Sequence, residues 1–573
     1  MTTTTSATPR SFWPRHGLAG LLDFAAVSHR RAVGLLLLIS LLFYLPGFFQ
    51  IPPVDRDEAY FAQATKQMIE TGDYVDIRYQ DDVRYRKPVG IYWLQAAVVN
   101  TASALGMANA CMTIWLYRIP SLIGAIGAVL ATYWTALAFV SRRGAMLAAM
   151  MMIASALLGV EARLAKTDAV LLLTVVVAMG ALARVYLTAY RPDLPRPGLT
   201  VPAIFWTALA AGILIKGPLI LLVVATAALV LSIMERSARW LSALRPLAGI
   251  GWLLLLVLPW FIAIFVRVGG QFFVNSVGQD LLGKVVTGQE AHGAPPGLYL
   301  VLFFITFFPG SILAPLAVPA VWSGRREPAA RFLLAWLVPS WIVFEAVMTK
   351  LPHYVLPLYP AIAILTAGAI ETKVLSNRTW LKSGTIFWLI GPSLFGIALV
   401  ALSIIVAHDL ALLAWPFLAA AMVFGLFAWR LYEDDGAERS LLRALAASLL
   451  MGIATYAVVV PLLVPVFPAV AIARVMRESG CAHPVAASSG FEEPSLVFLA
   501  GTDTHLTTPS GAADFLRQGG CRFAFIDARQ ERAFALRAEA VGLHYGRGPR
   551  IDGFNLSNGK PIGIAVFVSA EAP

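Results

Sequence analysis

The chain has 573 residues, of which only 13% are charged, and its formal net charge is +11. Since an ordinary soluble domain carries about a quarter charged residues, the composition excludes a typical soluble protein. Apolar runs long enough to cross a hydrocarbon core about 30 Å thick recur from Leu35 to about Pro465. The excess of arginine does not require a nucleic-acid partner, because arginines between membrane helices usually set the topology. The sequence therefore predicts an all-α polytopic membrane protein.

The apolar runs predict thirteen membrane-spanning helices. A single helix over 203–234 would be about 48 Å long, so we place a break at "IKGP", 215–218. The stretch 88–107 is long enough to span, but it carries Gln95 and Asn100, and we expect it to lie in the membrane interface. The predicted spans are 32–50, 117–140, 144–160, 169–190, 203–215, 218–234, 247–266, 298–322, 332–348, 355–370, 384–407, 410–429 and 444–466.

The distribution of positive charge predicts which side of the membrane each connection faces. With the N-terminus inside, most lysines and arginines of the short connections fall on the inner face. The first 15 residues show no cleavable signal, so we expect the first apolar run to be retained as a helix. Every connection with unusual chemistry then lies outside: 51–116, 161–168, 216–218, 267–297 and 349–354.

The composition changes after about residue 470, and 470–573 is predicted to be a small α/β domain on the outer side. Cys481 and Cys521 both lie in it and could pair in an oxidising compartment, whereas Cys111 has no obvious partner. No catalytic motif is present, so we expect a lid or an acceptor-docking module. Its predicted strands are 484–489, 495–500, 522–527 and 562–569, its predicted helices are 514–520 and 529–542, and a hairpin turns at Asn558-Gly559.

The first outer loop, 51–116, is the most informative part of the sequence. Asp55, Asp57 and Glu58 follow directly after an apolar helix, and the residues after them have helical spacing. A basic and aromatic stretch that ends at Lys87 comes next. Carboxylates beside cations at a membrane surface suit chemistry on an anionic lipid. A solvated loop is the alternative interpretation.

Three other outer connections carry candidate residues, each with a structural alternative. Asp168 begins a span, where a carboxylate is favourable as a cap in any case, and Lys216 lies at a helix break but could simply snorkel. The turn 349–354 contributes one histidine. Because no Cys/His cluster or "HExxH" occurs, we predict no protein-encoded metal site and no required cofactor. The sequence leaves open the alternative that one divalent ion is held by carboxylates and a substrate phosphate. The glycine-rich loop 267–297 suits a mobile cover over a cleft, although a linker would have the same composition.

Five motifs taken together resemble the bacterial lipid A 4-amino-4-deoxy-L-arabinose transferases. They are "RDEAYFAQA" (56–64), "YRKPVGIYW" (85–93), "RLAKTDAVLLL" (163–173), "IKGP" (215–218) and "TKLPHYVLPLYP" (349–360). The resemblance extends more loosely to the protein O-mannosyltransferases. It implies the C-type membrane glycosyltransferase fold with a transmembrane catalytic domain over 1–466. It also implies a bacterial inner-membrane enzyme that is monomeric, with its active site facing the periplasm.

The resemblance also implies site residues. By position, the family's acidic motif falls on Asp57 and Glu58, its second acidic position on Asp168, and its loop lysine on Lys87; Arg86 stands where we expect a glutamate. We predict Asp57, Glu58 and Asp168 as the catalytic group. The residues that we predict to bind substrate are Lys87, Arg86, Arg84, Tyr85, Tyr60, Arg163, Lys216, Lys350, His353 and Tyr354.

The reaction that the resemblance implies is transfer of an amino sugar from undecaprenyl phosphate to a lipid A phosphate, with inversion. Departure of the phosphate creates negative charge that Lys87 and Lys350 could stabilise. Asp57 would be a general base for a hydroxyl acceptor but would only orient a phosphate acceptor, and the sequence leaves both roles open. A transferase with a protein or glycan acceptor, a lipid-linked sugar transporter and a lipid-binding scaffold are the alternatives.

Overall fold

The structure, a computed structural model, describes residues 17–190, 198–276, 278 and 294–569. Up to residue 466, the described residues form helices and their connections, together with one short hairpin. Its principal helices are Leu18–Ala26, His29–Tyr44, Asp57–Thr71, Gly90–Ala104, Ile114–Ala136, Arg142–Ala154, Ala156–Glu161, Asp168–Thr188, Thr200–Lys216, Leu219–Met234, Pro246–Val268, Leu298–Thr306, Ala314–Ser323, Pro328–Ala346, Tyr359–Glu371, Phe387–Ala407, Trp415–Arg430 and Tyr432–Ile453.

The protein is a multi-pass membrane protein. In the described part of the chain, eight helices are long and apolar enough to cross a membrane, and three more apolar helices are shorter. Every predicted span falls on helical structure, although 298–322 is interrupted between Thr306 and Ala314. The number of thirteen spans and the sidedness stay predictions.

The break predicted at "IKGP" is confirmed. One helix ends at Lys216 and the next begins at Leu219. Gly217 between them has φ +68°, a conformation that residues with a side chain rarely adopt. The break therefore leaves Lys216 at the end of a helix.

Two of the membrane helices approach each other closely and thereby position Asp168. A Cβ atom on Gly124, in the helix Ile114–Ala136, would lie 2.8 Å from the backbone nitrogen of Val170. Small residues allow this kind of backbone contact between membrane helices. The start of the helix Asp168–Thr188 is consequently fixed against its neighbour.

The first outer loop contains two helices and a hairpin. We call Asp57–Thr71 the loop helix and Gly90–Ala104 the interface helix. Between them, β1 (Arg78–Tyr79) pairs antiparallel with β2 (Asp82–Val83). The interface helix covers most of the stretch that we predicted to be interfacial. Its Gln95 is buried, accepting from Thr65 Oγ1 at 2.6 Å and donating to Ala165 O at 3.2 Å, so this polar residue joins protein segments.

The C-terminal domain is α/β, as predicted. Its elements are the helices Pro468–Glu478, Pro494–Ala500, Pro509–Leu516 and Glu531–Ala540, and the strands β3 Val485–Ser489, β4 His505–Leu506, β5 Arg522–Asp527, β6 Tyr545–Arg547, β7 Ile551–Asn555 and β8 Lys560–Ser569. The sheet has the order β4-β3-β5-β8-β6, with β7 also paired to β8. In it, β3 is parallel to β4 and β5, and β8 is antiparallel to its neighbours. The predicted hairpin is confirmed as β7 and β8, with Asn555 opposite Lys560.

One predicted strand is wrong, and the disulfide that the sequence allows in this domain is present. Residues 495–500 belong to the helix Pro494–Ala500, which we call the docking helix. Proline is favoured at the first helical position, and a short apolar run does not distinguish a strand from a helix turn. Cys481 and Cys521 form a disulfide.

Candidate active site

A buried ion pair holds in place the segment that carries Asp55, Asp57 and Glu58, which we call the acidic loop. Arg118 Nε donates to Glu58 Oε1 and Arg118 Nη2 to Glu58 Oε2, both at 2.8 Å. The same guanidinium donates to the carbonyl oxygens of Ile51 and Pro52, while Ala165 N–H donates to Glu58 Oε1. Glu58 is therefore committed to protein groups, and this geometry favours a structural role for it over a catalytic one.

Asp57, the neighbour of Glu58, has the opposite environment. It is the first residue of the loop helix and is exposed. Within the described residues, no hydrogen bond or ion pair occupies its carboxylate. Burial raises the pKa of Tyr92, and the Asp57 carboxylate adds to this shift. Burial would lower the pKa of Lys166, but nearby carboxylates, Asp57 among them, raise it. Asp57 is thus an accessible carboxylate whose field reaches the polar cluster described next.

A cluster of buried charged side chains lies beside the acidic loop. Lys216 Nζ donates to Asp168 Oδ1. Lys166 Nζ lies 3.7 Å from Asp168 Oδ2 and 3.0 Å from Glu161 Oε1. His353 Nε2 lies 3.7 Å from Asp168 Oδ1. We call Glu161, Lys166, Asp168, Lys216 and His353 the polar cluster; three separate connections of the chain contribute to it.

The carboxylates of the polar cluster keep the side chain of Lys166 in its protonated, ammonium form. Burial alone would lower the pKa of Lys166, but the carboxylates of Glu161, Asp168 and Asp57 raise it above its ordinary value. Lys166 therefore keeps its positive charge out of bulk water. In such an environment an ammonium group interacts strongly with a developing anion.

Local packing brings the segment that follows Lys87 against the helix that ends at Lys216. A Cβ atom on Gly90, at the start of the interface helix, would lie 2.7 Å from Leu214 O. Leu214 is two residues before Lys216, and Lys87 is three residues before Gly90 and half-buried. The glycine in "YRKPVGIYW" thus permits close contact between the two segments that carry these lysines.

Three residues of the polar cluster have the chemistry of a metal site. One ligand atom each from Glu161, Asp168 and His353 lies within 4.8 Å of the others, and Glu161 Oε2 has no hydrogen-bond partner among the described residues. However, two lysine ammonium groups contact the same carboxylates. The two positive charges already balance the two negative ones, so the donor set fits an ion-pair network better than a divalent cation.

Four more of the predicted substrate-binding residues form two groups, one beside the acidic loop and one in the turn 349–354. Arg84 is buried, and its guanidinium stacks 4.2 Å from the ring centroid of Tyr60, which forms one aromatic-cation pair next to the acidic loop. Lys350 is buried and donates to Val347 O at 2.7 Å. Tyr354 lies with its ring centroid 5.7 Å from Lys216 Nζ, beside the polar cluster.

Two predicted substrate-binding residues serve as anchors within the protein. Tyr85 is buried and donates to Asp76 Oδ1 at 2.6 Å. Arg163 donates to the backbone oxygens of Phe43, Pro46 and Gly159. These contacts favour structural roles for both. Arg86 is exposed beside Lys87. About half of the predicted mobile cover 267–297, namely 277 and 279–293, lies outside the described residues.

The sequence-based selection of site residues omitted Glu161, Lys166 and Arg118. Glu161 and Lys166 lie in the connection 161–168, so their proximity to Asp168 in the sequence was a usable signal. Arg118 had no such signal, because it lies inside an apolar helix 60 residues from Glu58.

A separate cavity of about 400 Å³ lies between Asp73, Asp76 and Arg267, and it includes no residue of the polar cluster.

Known proteins resemble this chain in sequence and in fold. The profile of the dolichyl-phosphate-mannose-protein mannosyltransferase family matches residues 35–273. The crystal structure of ArnT from Cupriavidus metallidurans in the apo state superposes with a TM-score of 0.72 over 94% of this chain and 97% of that one, at 16% identity. The chain has the C-type membrane glycosyltransferase fold. The fold class expected from the sequence is confirmed.

The same ArnT bound to undecaprenyl phosphate gives a TM-score of 0.71 at 17% identity, covering 96% of this chain and 98% of that one. Curated relatives include the undecaprenyl phosphate-alpha-4-amino-4-deoxy-L-arabinose arabinosyl transferases of Pectobacterium carotovorum and Pseudomonas aeruginosa. Both are 27% identical, over 61% and 66% of this chain. The chain spans 62% and 65% of the length of these two relatives. The resemblance drawn from the five motifs is confirmed.

Proposed function

We propose that the protein is a membrane glycosyltransferase. In this proposal it moves 4-amino-4-deoxy-L-arabinose from undecaprenyl phosphate to a lipid A phosphate, on the periplasmic face of the bacterial inner membrane. The observation that carries the proposal is the polar cluster: Lys166 and Lys216 are buried around Asp168, beside a loop that presents the accessible carboxylate of Asp57. The fold is that of a protein whose structure contains undecaprenyl phosphate, and the names of the curated relatives supply the sugar.

The cations stabilise the leaving group. When the bond between the sugar and the phosphate breaks, the phosphate gains negative charge, and preorganised ammonium groups stabilise that charge most where water is excluded. Lys216 and Lys166 are already held by Asp168, so little reorganisation is needed. Lys87 approaches from the start of the interface helix and supplies a further positive charge.

The carboxylate of Asp57 acts on the other side of the reaction. The sugar carbon gains positive character as the phosphate leaves, and a nearby carboxylate stabilises it electrostatically. The attacking lipid A phosphate is already an anion near neutral pH, so it needs orientation and not deprotonation. Asp57 therefore positions the sugar and the acceptor in this proposal. The acceptor attacks from the face opposite the phosphate, and the configuration inverts.

The experiment is a transfer assay with purified protein in detergent. The donor is undecaprenyl phosphate carrying the amino sugar, the acceptor is lipid A, and mass spectrometry detects the product. We expect lipid A to gain the mass of one or two aminopentose residues. A protein that binds the donor without transferring its sugar to any acceptor would contradict the proposal and favour a transporter or a scaffold.

A second candidate is transfer of a lipid-linked sugar to a hydroxyl group of a protein or glycan. The match of residues 35–273 to the protein mannosyltransferase family favours it. In that reaction Asp57 is a general base that takes the proton of the attacking hydroxyl group. Parallel assays with a peptide acceptor and with lipid A distinguish the two candidates.

A further inference from the structure

Two buried charged residues, one just before the loop helix and one within it, bind the C-terminal domain. Asp55 Oδ1 accepts a hydrogen bond from Ser495 N–H at 3.0 Å, and Lys66 Nζ donates to Phe498 O at 3.1 Å. Ser495 and Phe498 belong to the docking helix. Burying a charged group without such a partner costs free energy. These two hydrogen bonds therefore stabilise the interface between the domain and the loop helix.

An apolar side chain secures the same contact. Phe498 is fully buried in a cluster that also contains Ala62, Val99 and Tyr117, and its ring lies 5.4 Å from that of Tyr117 in an edge-to-face arrangement. The cluster draws on the loop helix, the interface helix and a membrane helix. The docking helix is thus built into the packing of the outer loop.

The C-terminal domain also contacts the residue between the two aspartates. Arg56 has φ +69° and ψ −121°, a conformation that a non-glycine residue adopts only where its surroundings hold it. Its guanidinium donates to Ser557 O in the turn between β7 and β8. Ser557 Oγ in turn donates to Glu493 Oε2 at 2.6 Å, next to the docking helix. The domain therefore contacts the chain at both residues before Asp57.

We propose that the C-terminal domain completes the active site by holding residues 55–56 so that Asp57 points to the reacting sugar, with Asp55 as a positioning residue. This inference rests on the proposed function, because its readout includes sugar transfer. Asp55 itself is buried against the docking helix, so it acts through Asp57. A carboxylate displaced by about 1 Å can cost a reaction up to about a hundredfold in rate.

The experiment compares three variants of the full-length protein. D55A removes the acceptor for Ser495 N–H. D55N keeps an oxygen that can accept this hydrogen bond but removes the charge. R537A is the matched control, because Arg537 pairs with Asp514 on the exposed side of the same domain. Transfer rates are measured at saturating and limiting donor, and hydrogen–deuterium exchange is followed over 51–71 and 494–500.

The expected results separate positioning from chemistry. D55A should lower kcat by about tenfold to a hundredfold and speed exchange at the start of the loop helix. D55N should restore most of kcat and the slow exchange, and R537A should match the wild type. Wild-type transfer and exchange in D55A would overturn the inference. So would a D55N protein with wild-type exchange and the kcat of D55A, since Asp55 would then act by its charge.

The exchange measurement keeps the inference separate from the proposed function. If the wild-type protein transfers no sugar to any acceptor, the proposed function fails. Faster exchange over 51–71 in D55A, restored in D55N, would still support the hold of the C-terminal domain on this segment. Unchanged exchange would contradict that hold independently of any activity.

Discussion

Glu58 and Arg118 form a bidentate ion pair, and their side chains are only 1% and 0% exposed. The pair joins the acidic loop to a membrane helix 60 residues away. Glu58 follows Asp57 directly, so the position of the exposed carboxylate depends on the buried one.

Removing one partner of this pair should destabilise the protein strongly. R118L leaves the Glu58 carboxylate buried without its countercharge, and losses of about 3–5 kcal/mol are typical of such changes. We expect a large fall in the thermal unfolding midpoint in detergent. The exposed pair of Arg537 and Asp514 is the control, since surface pairs contribute about 1 kcal/mol or less. Equal small shifts in R118L and R537A would contradict a clamping role.

Asp168 and Lys216 should behave as one catalytic unit. We expect D168N and K216M each to lower transfer by about a hundredfold or more. K216M loses an ammonium group that stabilises the leaving phosphate, and D168N loses the carboxylate that holds the two lysines in place. The double variant should be little worse than the poorer single variant, since each change already disrupts the pair. Transfer rates for all four proteins test this, and strictly additive losses would show that the two residues act independently.

The stability of the protein should depend on pH through Asp55. Burial raises the pKa of Asp55 from 3.8 to about 6; the Ser495 hydrogen bond opposes the shift, and the carboxylates of Glu493 and Glu58 add to it. The folded state therefore binds this proton more tightly than the unfolded state. The resulting stabilisation is complete below about pH 3.8 and is lost as the pH rises through about 6, at most about 3 kcal/mol in all.

The variant D55N isolates this contribution, because asparagine does not titrate. We expect the unfolding midpoint of the wild type relative to D55N to fall between pH 4 and pH 7. A constant difference between the two proteins across that range would show that Asp55 has its ordinary pKa in the folded protein.

Transfer should not need a divalent metal. Glu161 and Asp168 are already balanced by Lys166 and Lys216, so we propose that chelation with EDTA leaves the rate unchanged. The measurement is the transfer assay with and without chelator, followed by addition of Zn²⁺ or Mg²⁺. A loss on chelation that a metal restores would assign Glu161, Asp168 and His353 as its ligands.

Much of the fold could be predicted from the sequence because its signals are local. Long apolar runs, the break at "IKGP" and the turn at Asn558-Gly559 each depend on a few neighbouring residues. The disulfide between Cys481 and Cys521 joins residues 40 apart, and the pairing could be suggested because both cysteines lie in the C-terminal segment. The docking helix was predicted as a strand because a short buried run shows no clear period, and its helical form is decided by tertiary packing around Phe498.

The members of the site were predictable in part. Asp168, Lys216 and His353 were selected from three separate motifs and lie in one cluster, while their roles in the reaction stay a prediction. The partners of Glu58 and Asp55 could not be predicted, because Arg118 is 60 residues away and Ser495 is 440 residues away. A charged residue in a motif looks the same in sequence whether it faces a substrate or a distant arginine.

Asp57 and Lys87 are proposed to act on a lipid-linked sugar at one site. Transfer from the undecaprenyl phosphate sugar is measured with purified D57N and K87A, with thermal midpoints as the folding control. We expect no detectable transfer by either variant and wild-type midpoints for both, because Asp57 is exposed and Lys87 is half-buried. Near wild-type turnover by D57N would contradict this proposal.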